Sequence, residues 1–344
     1  MIKFASLQFR FQAYVALVVL AIVAVLFGVT GPHLVHLYNS TVAPCAASNG
    51  CQSAILAFTN TDSSLQTFGN ALIIFVPALI GMFWGAPLIA RELETGTFRL
   101  ALAQGVTRTR WLATKIAVVG SASIVVTGLL SFVVTWWSSP LDRVNSLVQP
   151  GNIAFAGRFS SLIFGARNVA PVGYAAFAFA LAVAAGLILR RTLPAMAPAL
   201  GGFVATRLVV SSWMRPNLIT PLQRIVGLND KAVSSLSFNQ SNGHLTLTAV
   251  ASIRNAWMYS THVVDKSGST PTSAFLAQAC PARNGSDPLT SSCLSKVAAK
   301  FHEVVTYQPG SRYWTFQWYE LAIFMGLAVL LSGFCLWWVR RRLA

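Results

Sequence analysis

The hydrophobic positions of this chain do not alternate with polar ones; they gather in long runs almost free of Asp, Glu, Lys and Arg. Six runs stand out, at residues 13–32, 67–90, 113–137, 168–189, 193–214 and 317–339. A helix rising 1.5 Å per residue needs about 20 apolar residues to cross a hydrocarbon core about 30 Å thick, and each run is long enough. The pattern predicts an all-α polytopic membrane protein with six transmembrane helices. The fifth run is the weakest, being rich in Gly and Pro and interrupted by Arg207. The second carries Pro77, Gly81, Gly85 and Pro87, which predict a bent helix. Its Gly81-x-x-x-Gly85 spacing permits close approach of a second helix, either inside the subunit or across a dimer seam.

In MIKFASLQFRFQ, Lys3, Ser6 and Arg10 share one helical face, which predicts an amphipathic interfacial helix at residues 1–12. A plain extension of the first span is the other reading. Loops follow at 33–66, 91–112 and 138–167, and a basic tail at 340–344. Residues 215–316 form the one segment long enough for a small folded domain. There SLSFNQ and HLTLTAV flank Asn242-Gly243, a β-hairpin signature, so a small mixed α/β domain is expected between helices five and six.

Composition supports the membrane reading. Of 344 residues, 55% are hydrophobic and 10% charged, against roughly 25% charged in soluble domains. So little charge cannot solvate a water-facing surface, which disfavours a soluble enzyme, a disordered regulator and a coiled coil. The formal charge of +16 suggests no nucleic acid, because the cations sit between apolar runs. Lys3, Arg10, Arg91, Arg99, Arg108, Arg110, Lys115, Arg190, Arg191 and Arg340 to Arg342 fall on one side, whereas residues 33–66 hold no Lys or Arg. The positive-inside bias then places both termini in the cytoplasm and the chain in the plasma membrane. The first run is too long for a cleavable signal peptide, and no A-x-A site follows it. Cys45, Cys51, Cys280 and Cys293 fall on the opposite, oxidising side, and Cys335 lies within a span. Two disulfides are expected, most simply Cys45–Cys51 and Cys280–Cys293, although three connectivities are open to four cysteines.

No catalytic constellation accompanies this pattern: GxxxxGK[ST], HExxH, GxSxG and CxxC are all absent. His33 and His36 are three residues apart near the outer end of span one, without a third ligand, so no metal site is expected. Arg207 reads either as snorkelling to the outer headgroups or, with Glu320, as lining a translocation path for an anionic or amphipathic substrate. The aromatics around Trp314 and Phe316 read as an interfacial belt or as an outer gate. No proton relay is visible in the spans, so uphill transport would draw its energy from another subunit.

The loop ARELETGTFRLALAQGVTRTRWLATK is the most informative stretch. Thr97 is placed to cap a short helix, FRLALAQ, with Gly105 just past its end, and Thr107 to cap the helix entering span three. A short transverse helix with an apolar face suits docking in a groove of a soluble partner, or simply closes a helical hairpin. The run E-x-E-x-G-T, the short helix and V-T-R-x-R-W…K resemble the loop of ABC-2-type transporter permeases, actinobacterial ones in particular. The opening MIKFASLQFRFQA and the stretch TYQPGSRYWTFQWYE resemble that family too. The resemblance implies a non-catalytic permease that pairs with a second permease and docks on two copies of an ATPase subunit, which binds ATP and Mg. It makes Glu92, Glu94, Gly96, Thr97, Arg99, Leu100, Arg108 and Arg110 the coupling residues. An ATP-driven exporter of an amphipathic, lipid-like or drug-like substrate is the expected function. The rival is a membrane-anchored envelope sensor with a ligand-binding outer domain. The long outer domain departs from minimal permeases and leaves substrate identity open.

Overall fold

A computed structural model describes residues 2–45, 52–98, 107–147, 157–228, 233–241, 244–251, 253, 255–280 and 291–342. Among the described residues, six helices are long and apolar enough to cross a membrane: Arg10–Val42, Ser64–Thr95, Arg108–Trp137, Ala170–Leu189, Thr192–Asn217 and Gly310–Arg342. They are called spans one to six below.

Span four is the hub. Its sequence, APVGYAAFAFALAVAAGLIL, is rich in Ala and Gly, and such small side chains let neighbouring helices approach closely on several faces. Spans two, three, five and six all pack on it. The glycines foreseen in span two serve that contact: a Cβ on Gly85 would lie 2.7 Å from Cβ of Ala182 and 2.8 Å from the Phe179 carbonyl. Gly186 answers from span four, where a Cβ would lie 2.7 Å from the Ala86 carbonyl. The Gly81-x-x-x-Gly85 face therefore packs inside the subunit. Between these glycines the helix widens into a π-turn over Gly81–Gly85, the physical form of the expected bend.

Span one lies at the periphery. Phe27 meets Trp137 of span three edge-on at 4.9 Å, and the Trp137 ring N–H donates to the Thr30 hydroxyl at 3.0 Å. Phe11, Leu17, Val18, Ile22 and Val29 face outward. The separate interfacial helix expected at residues 1–12 is not found: one helix runs unbroken over Ile2–Leu37. No proline or glycine interrupts residues 2–27, so nothing in the backbone turns the segment away from the span axis.

The loop at 33–66 is also shorter than expected. The first helix continues as a π-turn over Tyr38–Val42, and the next begins at Gln52. Buried Ile55 and Phe58, the latter 6.5 Å from the Tyr38 ring, hold the polar run TNTDSS in helix against its low propensity. In the segment between spans three and four, Ser139–Leu147 is helical and Phe159 and Phe164 are buried against spans four and six.

The domain between spans five and six contains β1 (Leu222–Gly227), β2 (Val233–Ser241), β3 (His244–Ala251), β4 (Trp257–Asp265) and β5 (Phe301–Gln308). One sheet is antiparallel in the order β1-β5-β4; β2 and β3 form the second. Ser241 pairs with His244, as the hairpin reading requires, with residues 242–243 themselves outside the described set. Cys280–Cys293 is formed and packs with Leu276, Val297 and Phe301 in the domain's core. Cys45 is also disulfide-bonded; Cys51, its expected partner, lies outside the described residues.

Candidate functional site

The last helical segment of span two, a stem over Ala86–Thr95, carries two carboxylates that diverge. Two residues apart on a helix place side chains about 200° from one another, so Glu92 and Glu94 reach different neighbours. Glu92 is buried and forms an ion pair with Lys115 of span three, whose ammonium also lies 5.3 Å from the Trp111 ring. Burying two charges is tolerable because each neutralises the other. Glu94 Oε2 accepts from the Thr192 backbone N–H at 3.3 Å and its hydroxyl at 2.9 Å. Thr192 is the first residue of span five's helix, so the carboxylate sits at the positive end of that helix's dipole. One turn of stem is thereby tied to span three through Glu92 and to span five through Glu94.

The stem ends at Thr95, and Gly96 follows with φ +72°, the left-handed conformation that glycine adopts without strain. Thr97 is exposed, its hydroxyl 3.1 Å from that of Thr95. Arg99, Leu100 and the rest of the expected transverse helix lie outside the described residues. Beyond them Thr107 caps span three as expected, accepting from the Arg110 N–H at 3.4 Å, and Arg108 and Arg110 are exposed.

A second polar cluster lies at the opposite end of the bundle. Glu320 of span six accepts from Arg215 Nε at 2.9 Å and Arg215 Nη2 at 3.0 Å, and from the hydroxyl of Tyr174. The Arg215 guanidinium stacks on the Phe164 ring at 4.1 Å. Next to it Gln317 accepts from the Ala170 N–H at 3.0 Å and donates to the Phe164 carbonyl at 3.0 Å, fixing the start of span four. Asp142 holds buried Arg167 at 2.8 Å and Arg158 at 3.0 Å.

Arg207 and Glu320, expected together on a path, are not an ion pair. Arg207 lies across the other contact of Tyr174, 4.7 Å from its ring, and donates to the Ile74 carbonyl at 3.4 Å. Eight residues separate Arg207 from Arg215, about 12 Å along a helix. Arg215, expected to open the outer domain, is the residue at Glu320's level. Four further charged residues of the spans, Glu92, Lys115, Arg215 and Glu320, are buried within the helices. Their positions near span ends concealed this; a charge close to a run's boundary reads as solvated until its neighbours are known.

Trp314 and Phe316 also part company. Trp314 is 52% exposed, whereas Phe316 is fully buried, with the rings of Phe159 at 6.1 Å and Trp257 of β4 at 6.0 Å. Phe316 thus joins the domain between spans five and six to the bundle. His33 and His36 are exposed, and no group of three metal-ligating side chains occurs among the described residues.

Comparison with known proteins places this arrangement. The ABC-2 membrane transporter related family matches residues 17–215, more than half of the chain, and the chain belongs to that family. It is a multi-pass membrane protein with a transport permease role, and membership implies pairing with an ABC ATPase. The match runs from within span one to Arg215 and stops before the domain between spans five and six. No curated protein and no solved structure matches the chain.

Proposed function

We propose that the chain is the permease subunit of an ATP-driven exporter of an amphipathic, lipid-like or drug-like substrate. It works as one of a pair of permeases carried by two copies of an ATPase subunit, in which ATP and Mg are bound. Both termini and the loop between spans two and three face the cytoplasm in this reading. The observation that carries it is the double anchorage of the stem, Glu92 to Lys115 and Glu94 to Thr192. A loop serving only to close a hairpin between spans two and three has no need to grip span five. A loop that transmits motion does, because an interface between helices moves as a unit only where it is tied.

The π-turn at Gly81–Gly85, packed on span four, lies just before the stem and interrupts the regular α-helical hydrogen bonding of span two there. Closure of the ATPase pair would push the loop, and the stem would carry the displacement into spans three and five. The aromatic region around Trp314 forms part of an outer gate, with the outer domain capping the exit.

The test is co-expression with candidate P-loop ATPase subunits from the same source, followed by reconstitution in vesicles. ATP-dependent movement of a fluorescent amphiphile across the bilayer is the expected result. Failure of any ATPase to co-purify would favour the envelope-sensor reading, and co-purification with inward movement would reverse the direction alone.

A further inference from the structure

Spans three, four and six leave an outward-facing groove of about 520 Å3 between them, within the range of about 300–1,000 Å3 common to ligand sites. Ile116 and Ala117 of span three, Phe179 of span four, and Met325, Gly333 and Leu336 of span six line it. Its wall is almost entirely apolar, with Ser121 and Ser332 as the hydroxyl-bearing members. Spans three and six run antiparallel, so the start of one adjoins the end of the other.

Both helices carry the groove's lining face on into arginine. Arg110 precedes Ala117 by seven residues and Arg340 follows Gly333 by seven, a spacing that keeps side chains on one helical face. Both arginines are exposed. Beside Arg340, Arg341 stacks on Trp337 at 5.7 Å and Arg342 on Trp338 at 5.8 Å. Among the described residues none of these four arginines forms an ion pair, and the carboxylate of Glu92 is already engaged by Lys115. An apolar channel that ends in uncompensated cations, with tryptophans at the same level, is complementary to one kind of membrane component.

We propose that this groove holds an acyl chain of an anionic membrane phospholipid, whose phosphate rests against Arg110 and Arg340. The lipid is a resident of the fold, wedged where three spans fail to close on one another. This site is independent of the direction of transport and of the exporter reading.

The full chain, purified in mild detergent, is supplied with equal amounts of phosphatidylglycerol and phosphatidylcholine, and retained lipid is counted by native mass spectrometry. The wild-type chain is expected to keep phosphatidylglycerol in preference. Arg110→Gln with Arg340→Gln should cut that preference about thirtyfold, since each of the two basic residues near the headgroup contributes about 1 kcal/mol. Gly333→Leu should lower retention of phosphatidylglycerol with both arginines in place, because a Cβ at Gly333 meets no atom within 4 Å and the added side chain fills the groove.

Equal retention of the two lipids by the wild-type chain overturns the proposal without recourse to any variant. So does a Gly333→Leu chain that binds normally, which would mean charge alone attracts the lipid. Should Gly333→Leu fail to give a monodisperse protein, Ser121→Leu, at an exposed groove position, replaces it. Release of the bound lipid when the partner ATPase turns over ATP would assign the groove to the transported substrate, and that too overturns a resident lipid.

Discussion

Arg215 and Glu320 meet in a two-bond fork, Nε to Oε2 at 2.9 Å and Nη2 to Oε1 at 3.0 Å, with both residues 1% exposed. The pair closes the end of span five onto span six, and the Tyr174 hydroxyl draws span four into the same knot. Removing one partner leaves a buried charge without compensation, which costs about 3–5 kcal/mol, whereas replacing both by apolar groups is often neutral. Glu320→Ala should therefore lower the thermal stability of the purified chain sharply, and Arg215→Met with Glu320→Leu should recover most of the loss. A double variant as unstable as the single one would show that the knot stabilises by shape rather than by charge.

The stem predicts a separable phenotype. Glu94→Lys replaces a carboxylate at the N-terminus of span five's helix by a cation, removing the hydrogen bonds to Thr192 and opposing the helix dipole, a loss of about 1–2 kcal/mol. Membrane insertion should be unchanged, because Glu94 is exposed. Association with the ATPase, or its stimulation by substrate, should fall. A wild-type stimulated ATPase rate in the purified complex would remove Glu94 from coupling.

Substitution at Gly85 tests the span two–span four contact. Gly85→Ala forces a Cβ to 2.7 Å from Cβ of Ala182, and overpacking of this kind costs about 1–3 kcal/mol. Gly28→Ala, at a span-one position with no atom within 4 Å, should be neutral or slightly stabilising. Thermal unfolding in detergent compares the two directly.

Trp314 and Phe316 should behave differently. Phe316→Ala empties a site packed against Phe159 and Trp257 and should destabilise the chain by about 3–5 kcal/mol. Trp314→Ala should leave stability unchanged, and in cells it should alter efflux if the gate reading holds. Unaltered efflux at normal protein levels would leave Trp314 as a belt residue only.

The Cys280–Cys293 bridge in the domain between spans five and six closes a loop with a sequence separation of 13, for which chain entropy gives about 3 kcal/mol. Non-reducing peptide mapping should recover Cys280 linked to Cys293 and Cys45 linked to Cys51. Cys280→Ser with Cys293→Ser should make the domain susceptible to proteolysis before the bundle. Free thiols at 280 and 293, or resistance of the double variant, would refute the structural role of the bridge.

The six spans were legible in the sequence because crossing a bilayer is a one-dimensional requirement: about 20 consecutive residues, each tested against the same solvent. The pairing of β2 with β3, the Thr107 cap and the close-packing glycines of span two were legible for a related reason, each resting on a short local sequence pattern. The partners of the charges were not. Glu320 and Arg215 are separated by 105 positions, Glu94 and Thr192 by 98. Which of two arginines on span five reaches span six depends on how the helices slide along one another. Span four was legible as a span, and its central place among the helices was not, because an apolar helix in a bilayer can face lipid as well as protein. Likewise, Trp314 and Phe316 look alike in sequence, two residues apart in one aromatic run. Only the packing of Phe159 and Trp257 against one face of span six put Phe316 in the core and left Trp314 outside. Local patterns fix which segments are helices and which side chains share a face; the choice of partner for a buried charge or ring is made by neighbours distant in sequence, and only the tertiary structure supplies them.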